Sequence, residues 1–213
     1  MKKFLMMALV AVMAFTAQAL TTSWKGTTES AIEGQTVKIT KQDGKSIASH
    51  AFVATVTFSS TPSSTLKLLE LAMWDAGTFQ MNCDADKNLA FASGGNGALT
   101  TPETKAQFEV NKKAAFVLNF VNNGDGTVTT SAYLDGQEIG SVTYTGTIVQ
   151  TNITVQSSDS WTFDNAVLYE GALTQEQIQG LDGKSDIFAL PEPTVLALLA
   201  LGVAGLALKR KVA

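Results

Sequence analysis

Histidine and cysteine are almost missing from this sequence, which contains one of each, His50 and Cys83. A single cysteine cannot form an intramolecular disulfide, so the fold has to be stabilised by burial. We expect Cys83 to be a small buried hydrophobic side chain. One histidine and one cysteine also cannot supply the ligand set of a zinc site, and zinc chemistry is therefore excluded.

Charged residues are scarce as well. They make up 16% of the 213 residues, and the formal net charge is -4. The sequence has no basic patch and no series of aromatic residues on which bases could stack. Because nucleic-acid binding requires a concentration of positive charge, we do not expect a nucleic-acid partner.

Residues 1–19 have the order of a secretory signal peptide. Lys2 and Lys3 form a charged region, residues 4–15 form an apolar region, and Ala17-Gln18-Ala19 is a cleavage site of the A-x-A type. We expect signal peptidase to act here, so that the mature chain begins near Leu20 and is exported.

Residues 191–213 form a second segment of unusual composition. Pro191-Glu192-Pro193 is followed by the apolar residues 194–208 and then by the cluster Lys209, Arg210 and Lys211. A helix over the apolar residues would measure roughly 22 Å, enough for a thinned bilayer when flanking side chains extend its reach. The basic cluster predicts a cytoplasmic end, with the rest of the chain on the opposite side.

This tail resembles the PEP-CTERM sorting signal of Gram-negative bacteria, which combines a Pro-Glu-Pro motif, a short transmembrane helix and a basic end. The resemblance implies that an exosortase, a membrane peptidase, recognises the tail and cuts near the motif. It also implies that the protein is anchored in the membrane before processing and then reaches the cell surface or an extracellular polysaccharide matrix.

Residues 20–190 read as one domain made almost entirely of β-strands. Short runs of aromatic and β-branched residues are separated by turn residues, a pattern typical of a sandwich or jelly roll. The Asn122-Asn123-Gly124-Asp125-Gly126 and Asp135-Gly136 clusters predict tight turns. The predicted strands are residues 51–58, 66–74, 78–83, 88–93, 115–121, 128–134, 138–145, 153–156 and 161–169.

A short helix is predicted over residues 173–181. Thr174 is placed as its N-cap, and Gln177 three residues later completes a capping box. Leu173, Ile178 and Leu181 form an apolar stripe. Because so short a helix is marginal in water, we expect this stripe to pack on the sheet.

Residues 163–178 and 133–140 resemble the closing strand and the Tyr-x-Asp-Gly hairpin of laminin-G-like, concanavalin A-like domains. The family often begins the strand before the hairpin with Trp, whereas this chain reads Lys113-Ala114-Ala115-Phe116 there. The resemblance implies a concanavalin A-like β-sandwich. Lectins, glucanases, adhesion modules and structural spacers all share that fold, so the fold alone does not assign a function.

No catalytic pattern is found in this sequence. Retaining glycosidases of this fold place Glu-x-Asp-x-(x)-Glu along one strand so that two carboxylates share a groove, and no such array occurs. His50 lies at the start of a predicted strand without a motif around it and reads as a structural residue. We therefore expect a non-enzyme without catalytic residues, with a glycan-active enzyme of another type as the alternative.

Two binding sites are considered. Asn82, Asp84 and Asp86 alternate and would share a face if their strand continues, so they are the candidate ligands of a calcium ion, although a solvated turn also explains them. No other cofactor is expected. Trp24, Trp74 and Trp161 are the candidate platforms for a surface or matrix polysaccharide, with Trp24 the most exposed and the other two expected in the core. The predicted function is a non-catalytic binding or structural sandwich, with a lectin-like module as the alternative.

Overall fold

The computed structural model describes residues 20–27, 32, 36–40, 48–64, 66–73, 77–86, 88–93, 106–145, 150–155 and 159–190. The predicted signal peptide and the predicted membrane segment lie outside these residues. Within them, every helix is too short or too polar to cross a bilayer. Residues Leu20–Leu190 form one compact unit.

The described residues form twelve strands and a short helix near residue 180. The strands are β1 Thr21–Gly26, β2 Thr36–Thr40, β3 His50–Phe58, β4 Leu66–Met73, β5 Gly77–Cys83, β6 Asn88–Ser93, β7 Ala106–Gln107, β8 Lys113–Asn122, β9 Thr127–Leu134, β10 Gln137–Thr145, β11 Gln150–Val155 and β12 Trp161–Glu170, and the helix α1 is Gln175–Gln179.

The strands make two six-stranded antiparallel sheets. The first sheet has the order β1-β12-β3-β8-β9-β10, and the second has the order β2-β11-β4-β5-β6-β7. Thr21 pairs with Glu170, so the first strand of the domain lies beside the last. A register shift between Phe163 and Asn165 marks a bulge where β12 meets β3. The all-β sandwich predicted from the sequence is confirmed.

The main core lies between the two sheets. Alternate residues of strands such as β3 point into it, as the strand period of two requires. Phe52, Ala54, Val56 and Phe58 of β3 all belong to this core, together with residues of the second sheet such as Leu69. Cys83 is fully buried in the same core, which confirms the sequence prediction.

The outer face of the first sheet carries a second apolar cluster. The intervening residues of the strands, among them Ala51, Val53 and Val167, are fully buried there. They are covered by residues 173–190, which we call the cover segment and which contributes Leu173, Ile178, Leu181 and Ile187. The expectation that Leu173 and Ile178 pack on the sheet is therefore confirmed.

The capping box predicted for the helix is present. The Gln177 backbone N donates to Thr174 Oγ1 at 3.2 Å, and the Thr174 backbone N donates to Gln177 Oε1 at 2.9 Å. The helix is shorter than predicted because Gly180 closes it: its N–H donates to the Glu176 carbonyl. Leu181 nevertheless reaches the outer cluster, from a turn in which its N–H donates to the Ile178 carbonyl.

Both predicted hairpin turns occur. Gly124 and Gly126 have φ values of 78° and 88° in the turn after β8. Asp135 and Gly136 have φ values of 45° and 77° in the turn between β9 and β10, the left-handed pair that a two-residue hairpin needs. The Asp135 side chain accepts a hydrogen bond from the Ala115 N–H and ties this turn to β8.

Candidate functional site

The cover segment ends where the proline motif begins, and Tyr169 holds this end in place. The Tyr169 hydroxyl donates to the Ile187 carbonyl. Burial raises the pKa of Tyr169, and a backbone hydrogen bond from Leu190 acts on the pKa in the opposite direction. Leu190 is half-buried against the outer cluster. The last residue before Pro191 is therefore attached to the sandwich.

Two aspartates shape the path of the cover segment beyond the helix. Asp182 Oδ1 accepts from the Lys184 N–H and from Ser185 Oγ, both at 2.9 Å. Asp186 Oδ1 accepts from the Phe188 N–H at 3.0 Å. Such side-chain-to-backbone bonds replace the ladder bonds that a turn lacks. The hydrogen bonds to Asp182 hold its pKa below its ordinary value.

Close packing explains the glycine inside the Asp182 turn. A Cβ atom at Gly183 would lie 1.9 Å from the carbonyl oxygen of Lys113 at the start of β8. Only a glycine lets the cover segment approach the first strand position of β8 so closely. The cover segment thus has a fixed path along the sheet. It starts at Asn119, whose side-chain amide hydrogen-bonds with the N–H and the carbonyl of Leu173. It then runs to Lys113 and returns to Tyr169.

The tryptophans differ in how accessible they are. Trp161 is fully buried and packs against Phe58, with ring centroids 6.4 Å apart, so it has no face for a sugar. Trp24 is half-buried and stacks on Phe52 with the same separation, so it is more exposed than Trp161. Trp74 lies outside the described residues.

The candidate calcium ligands do not share a strand. Strand β5 ends at Cys83, so Asp84 and Asp86 do not continue its alternation. Instead, the Asp86 N–H donates to Asp84 Oδ1 at 3.0 Å, which is the hydrogen bond of a turn. Asn82 pairs with Lys67 and Ala90 within the sheet. Among the described residues, no three His, Cys, Asp or Glu side chains gather into a metal site. Calcium binding stays a prediction.

The titratable groups that are partly buried have structural partners. His50 Nδ1 lies 2.7 Å from the Ala48 carbonyl oxygen. Asp164 Oδ2 accepts from Thr57 Oγ1 at 2.6 Å and pairs with Lys113 Nζ at 3.1 Å, at the bulge of β12. Burial raises the pKa of the Cys83 thiol to about 12, with the charge of Asp84 as the smaller cause. A thiol with such a pKa is a poor nucleophile at neutral pH.

An apolar void between the sheets is also unsuited to chemistry. The described residues that line it are all hydrophobic, including Val56, Leu69, Met81 and Phe163. A site for catalysis needs polar groups that converge on the ligand, and none is found among these lining residues. The void is therefore a packing feature of the main core.

The sequence reasoning did not single out one exposed polar surface of the first sheet. Thr127, Thr129 and Ser131 of β9 and Ser141 and Thr143 of β10 lie on its outer face, and we call them the hydroxyl row, although Ser131 is itself buried. Thr129 Oγ1 lies 2.9 Å from Thr143 Oγ1, and Ser131 Oγ lies 2.9 Å from Ser141 Oγ. The alternation of Thr127, Thr129 and Ser131 with the apolar residues Val128 and Ala132 was the signal that could have revealed it, and Thr130 interrupts that pattern.

Comparison with solved structures finds several proteins of low similarity. A Trypanosoma rangeli sialidase in complex with the inhibitor DANA is 23% identical, over 62% of this chain and 22% of that chain, with a TM-score of 0.44. The chain thus spans less than a quarter of the sialidase. A Caenorhabditis elegans galectin is 19% identical over 62% of this chain and 89% of that chain, with a TM-score of 0.40.

The CBM40 of a Ruminococcus gnavus IT-sialidase, bound to alpha2,3 sialyllactose, is 9% identical. The match covers 75% of this chain and 97% of that chain, with a TM-score of 0.41. Comparison with curated protein sequences gives no match. Comparison with protein families gives a match at the end of the chain. Residues 189–211 carry the PEP-CTERM protein-sorting motif, as the Pro-Glu-Pro sequence predicted.

Proposed function

We propose that this chain is an exported bacterial protein that an exosortase sorts to the cell surface or the extracellular matrix, where its sandwich binds or supports other components without catalysis. The position of the sorting motif is the observation that carries this proposal. The motif begins at residue 189, and the hydrogen-bonded cover segment ends at Leu190. The folded domain and its sorting signal are therefore consecutive in the chain.

Deletion of Pro191–Ala213 tests the sorting role. In a host with an exosortase, we expect the full chain in the membrane fraction or at the surface, and the truncated chain in the soluble exported fraction. Retention of the truncated chain in the membrane fraction would contradict the proposal.

A matched variant separates anchoring from processing. Replacing Pro191, Glu192 and Pro193 by alanine leaves the apolar residues 194–208 and the basic end intact. We expect this variant to remain anchored and uncut, whereas mass spectrometry of the unsubstituted protein finds a new C-terminus near the motif. An unsubstituted protein that keeps Ala213 in the presence of exosortase would count against processing.

The absence of catalysis is proposed from the state of the candidate groups. His50 and Asp164 are engaged in structural contacts, and burial makes the Cys83 thiol unreactive. Purified protein should therefore release no reducing ends from matrix polysaccharides. Turnover that one acidic substitution abolishes would establish the alternative, a glycan-active enzyme.

Glycan binding is the more specific form of the proposal, and the hydroxyl row favours it. A row of hydroxyl groups can exchange hydrogen bonds with the hydroxyls of a sugar chain along the sheet. The exposed part of Trp24 offers a smaller apolar surface. Affinity at one site would be modest, and many copies on one surface would bind by avidity.

Calorimetry with purified surface polysaccharide tests whether the domain binds glycans. We expect binding by the tail-deleted domain, weakened by Thr129→Val and Ser141→Ala together and unchanged by Lys112→Ala at an exposed site. The titration is repeated with calcium and with a chelator, because Asp84 and Asp86 remain candidate ligands. If no matrix glycan gives a heat of binding, glycan binding is contradicted and a structural role is the remaining function.

A further inference from the structure

Both ends of the domain lie at the same end of the sandwich. Leu20 directly precedes β1, whose first residue, Thr21, pairs with Glu170 at the end of β12. Tyr169, the neighbour of Glu170, holds Ile187 through its hydroxyl. Leu20 and Leu190 both pack, half-buried, against the outer cluster. We call this the exit end, because the chain enters and leaves the domain there.

The exit end carries exposed apolar surface. Phe188 is the large hydrophobic side chain that stands exposed among the described residues, at 36%. Ala189 is also exposed, and Leu20 and Leu190 are only half-buried. The exposed carboxylates of Asp186 and Glu170 lie near this end. An anionic surface would repel them, so neutral headgroups suit this end better than anionic ones.

The sorting tail limits how far this end can be from a membrane. Only Pro191, Glu192 and Pro193 separate Leu190 from the apolar residues 194–208. A fully extended chain covers at most about 14 Å between Leu190 and Thr194. The polar layer of a bilayer is roughly 5–8 Å thick on each side of its hydrocarbon core. With Thr194 at the hydrocarbon boundary, Leu190 therefore lies within several ångströms of the lipid surface.

We propose that the exit end is a lipid-contacting surface, with Phe188 inserted among neutral headgroups while the tail is in the membrane. This inference rests on the proposed function, since it requires the tail to be inserted. It assigns an orientation: the exit end faces the bilayer, and the opposite end, with Lys112 and the Asp135-Gly136 turn, faces away. The two ends of the sheet are separated along β8 by roughly 20 Å between Lys113 and Asn119.

Depth-dependent fluorescence quenching tests the orientation. The full chain with Phe188→Cys is labelled with an environment-sensitive dye and reconstituted in phosphatidylcholine vesicles that contain spin-labelled headgroups. The matched control is Lys112→Cys, an exposed site at the opposite end. Buried Cys83 does not compete for the dye in the native protein, and the unsubstituted chain is the blank.

We expect the label at position 188 to lose most of its fluorescence and the label at position 112 to keep it. Flotation of the vesicles reports separately whether the tail is inserted. Equal quenching at both positions in a chain that floats with the vesicles would overturn the orientation and leave the sorting proposal intact. A full chain that does not float would overturn membrane insertion and the orientation with it.

Discussion

Thr130 is a buried hydroxyl residue in the middle of β9. It lies between Val128 and Ala132, which both belong to the main core, and its side chain is fully buried. Its Oγ1 has no hydrogen-bond partner among the described residues. A buried polar group left without a partner costs about 1–3 kcal/mol of stability.

Thr130→Val should therefore stabilise the protein. Valine has nearly the same shape and removes the unpaired hydroxyl, so we expect the free energy of unfolding to rise by about 1 kcal/mol. That corresponds to an increase of roughly 2–4 °C in Tm for a chain of this size. Thr129→Val, which breaks a bond of the exposed hydroxyl row, is the control and should bring no gain. A lower Tm for Thr130→Val would show that the hydroxyl is satisfied.

Asp182 makes the turn of the cover segment sensitive to acid. Because its folded-state pKa lies below the ordinary value, its stabilising contribution is complete above the ordinary pKa of aspartate and is lost as the pH falls through the lowered value. We expect the amides of Lys184 and Ser185 to lose protection against hydrogen exchange in this acidic range. Asp182→Asn should show less pH dependence, and an identical profile for the two proteins would disprove this role.

The tryptophans show which residue positions can be predicted from sequence. Trp161 and Phe163 alternate on one face of their strand, so the burial of Trp161 follows from a pattern visible in the sequence. The position of Trp24 depends on the pairing of β1 with β12, which no local pattern encodes. Whether Asp84 shares a face with Asn82 depends on where β5 ends, at Cys83, and no local pattern determines that end.

At the scale of elements, the cover segment gives the central strands of the first sheet two buried faces. Successive residues of β3, β8 and β12 belong alternately to the main core and to the outer cluster, and few of these residues are polar. Asn119 is one of these, and it is satisfied by both backbone groups of Leu173. The cover segment is therefore an integral part of the fold.

Tyr169→Phe should loosen the end of the cover segment. The variant keeps the ring but leaves the Ile187 carbonyl without its donor, so we expect a loss of about 1–2 kcal/mol in the free energy of unfolding. Limited proteolysis should cut residues 184–190 faster. Tyr133→Phe is the matched control, since this tyrosine shares the outer cluster but its hydroxyl bonds Ser131. Equal cleavage of the two variants would rule out the role of Tyr169.

Val167→Asp should damage the whole sandwich. Val167 is fully buried on the face of β12 that the cover segment covers. The variant buries a carboxylate without a partner, so the free energy of unfolding should fall by on the order of 3 kcal/mol or more. Thermal melts measure the loss, with Thr162→Asp at a half-buried position of the same strand as the milder control. A melt like that of the unsubstituted protein would contradict the placement of Val167.

The interior strands were predictable and most of the edge strands were not. Strands such as β3 and β9 have apolar alternation flanked by turn residues, and their bounds agree within a residue or two with the sequence prediction. Strands β1, β2 and β7 were missed. β1 and β2 are edge strands of five or six residues, and β7 has only two. Edge strands are held by pairing with a distant partner, and their own sequence carries little of that information.

At the scale of the whole molecule, the domain is stabilised without covalent cross-links. Its single cysteine is buried and reduced, and two apolar clusters on either side of the first sheet provide the burial. The fold class and the sorting motif could be read from the sequence. The exit end and the bond from Tyr169 could not, because each depends on how distant segments meet.

A reductant should therefore leave the thermal transition of the domain unchanged. With the pKa of Cys83 raised to about 12, we also expect the native thiol to resist a disulfide reagent at mildly alkaline pH and to react fully once denaturant unfolds the chain. A fall in Tm on reduction would contradict the free thiol. Fast modification of the native protein would contradict its burial.

The pairing of the first strand with the last determines when the domain can fold. Among the described strands, β1 pairs only with β12. Residues 21–26, which are synthesised early, therefore lack this partner until β12 is available. Folds dominated by such distant pairings form slowly, over about milliseconds to seconds. In a chain that is exported N-terminus first, β1 therefore remains unpaired until almost the whole domain has crossed the membrane. The first sheet is completed just before the sorting motif follows.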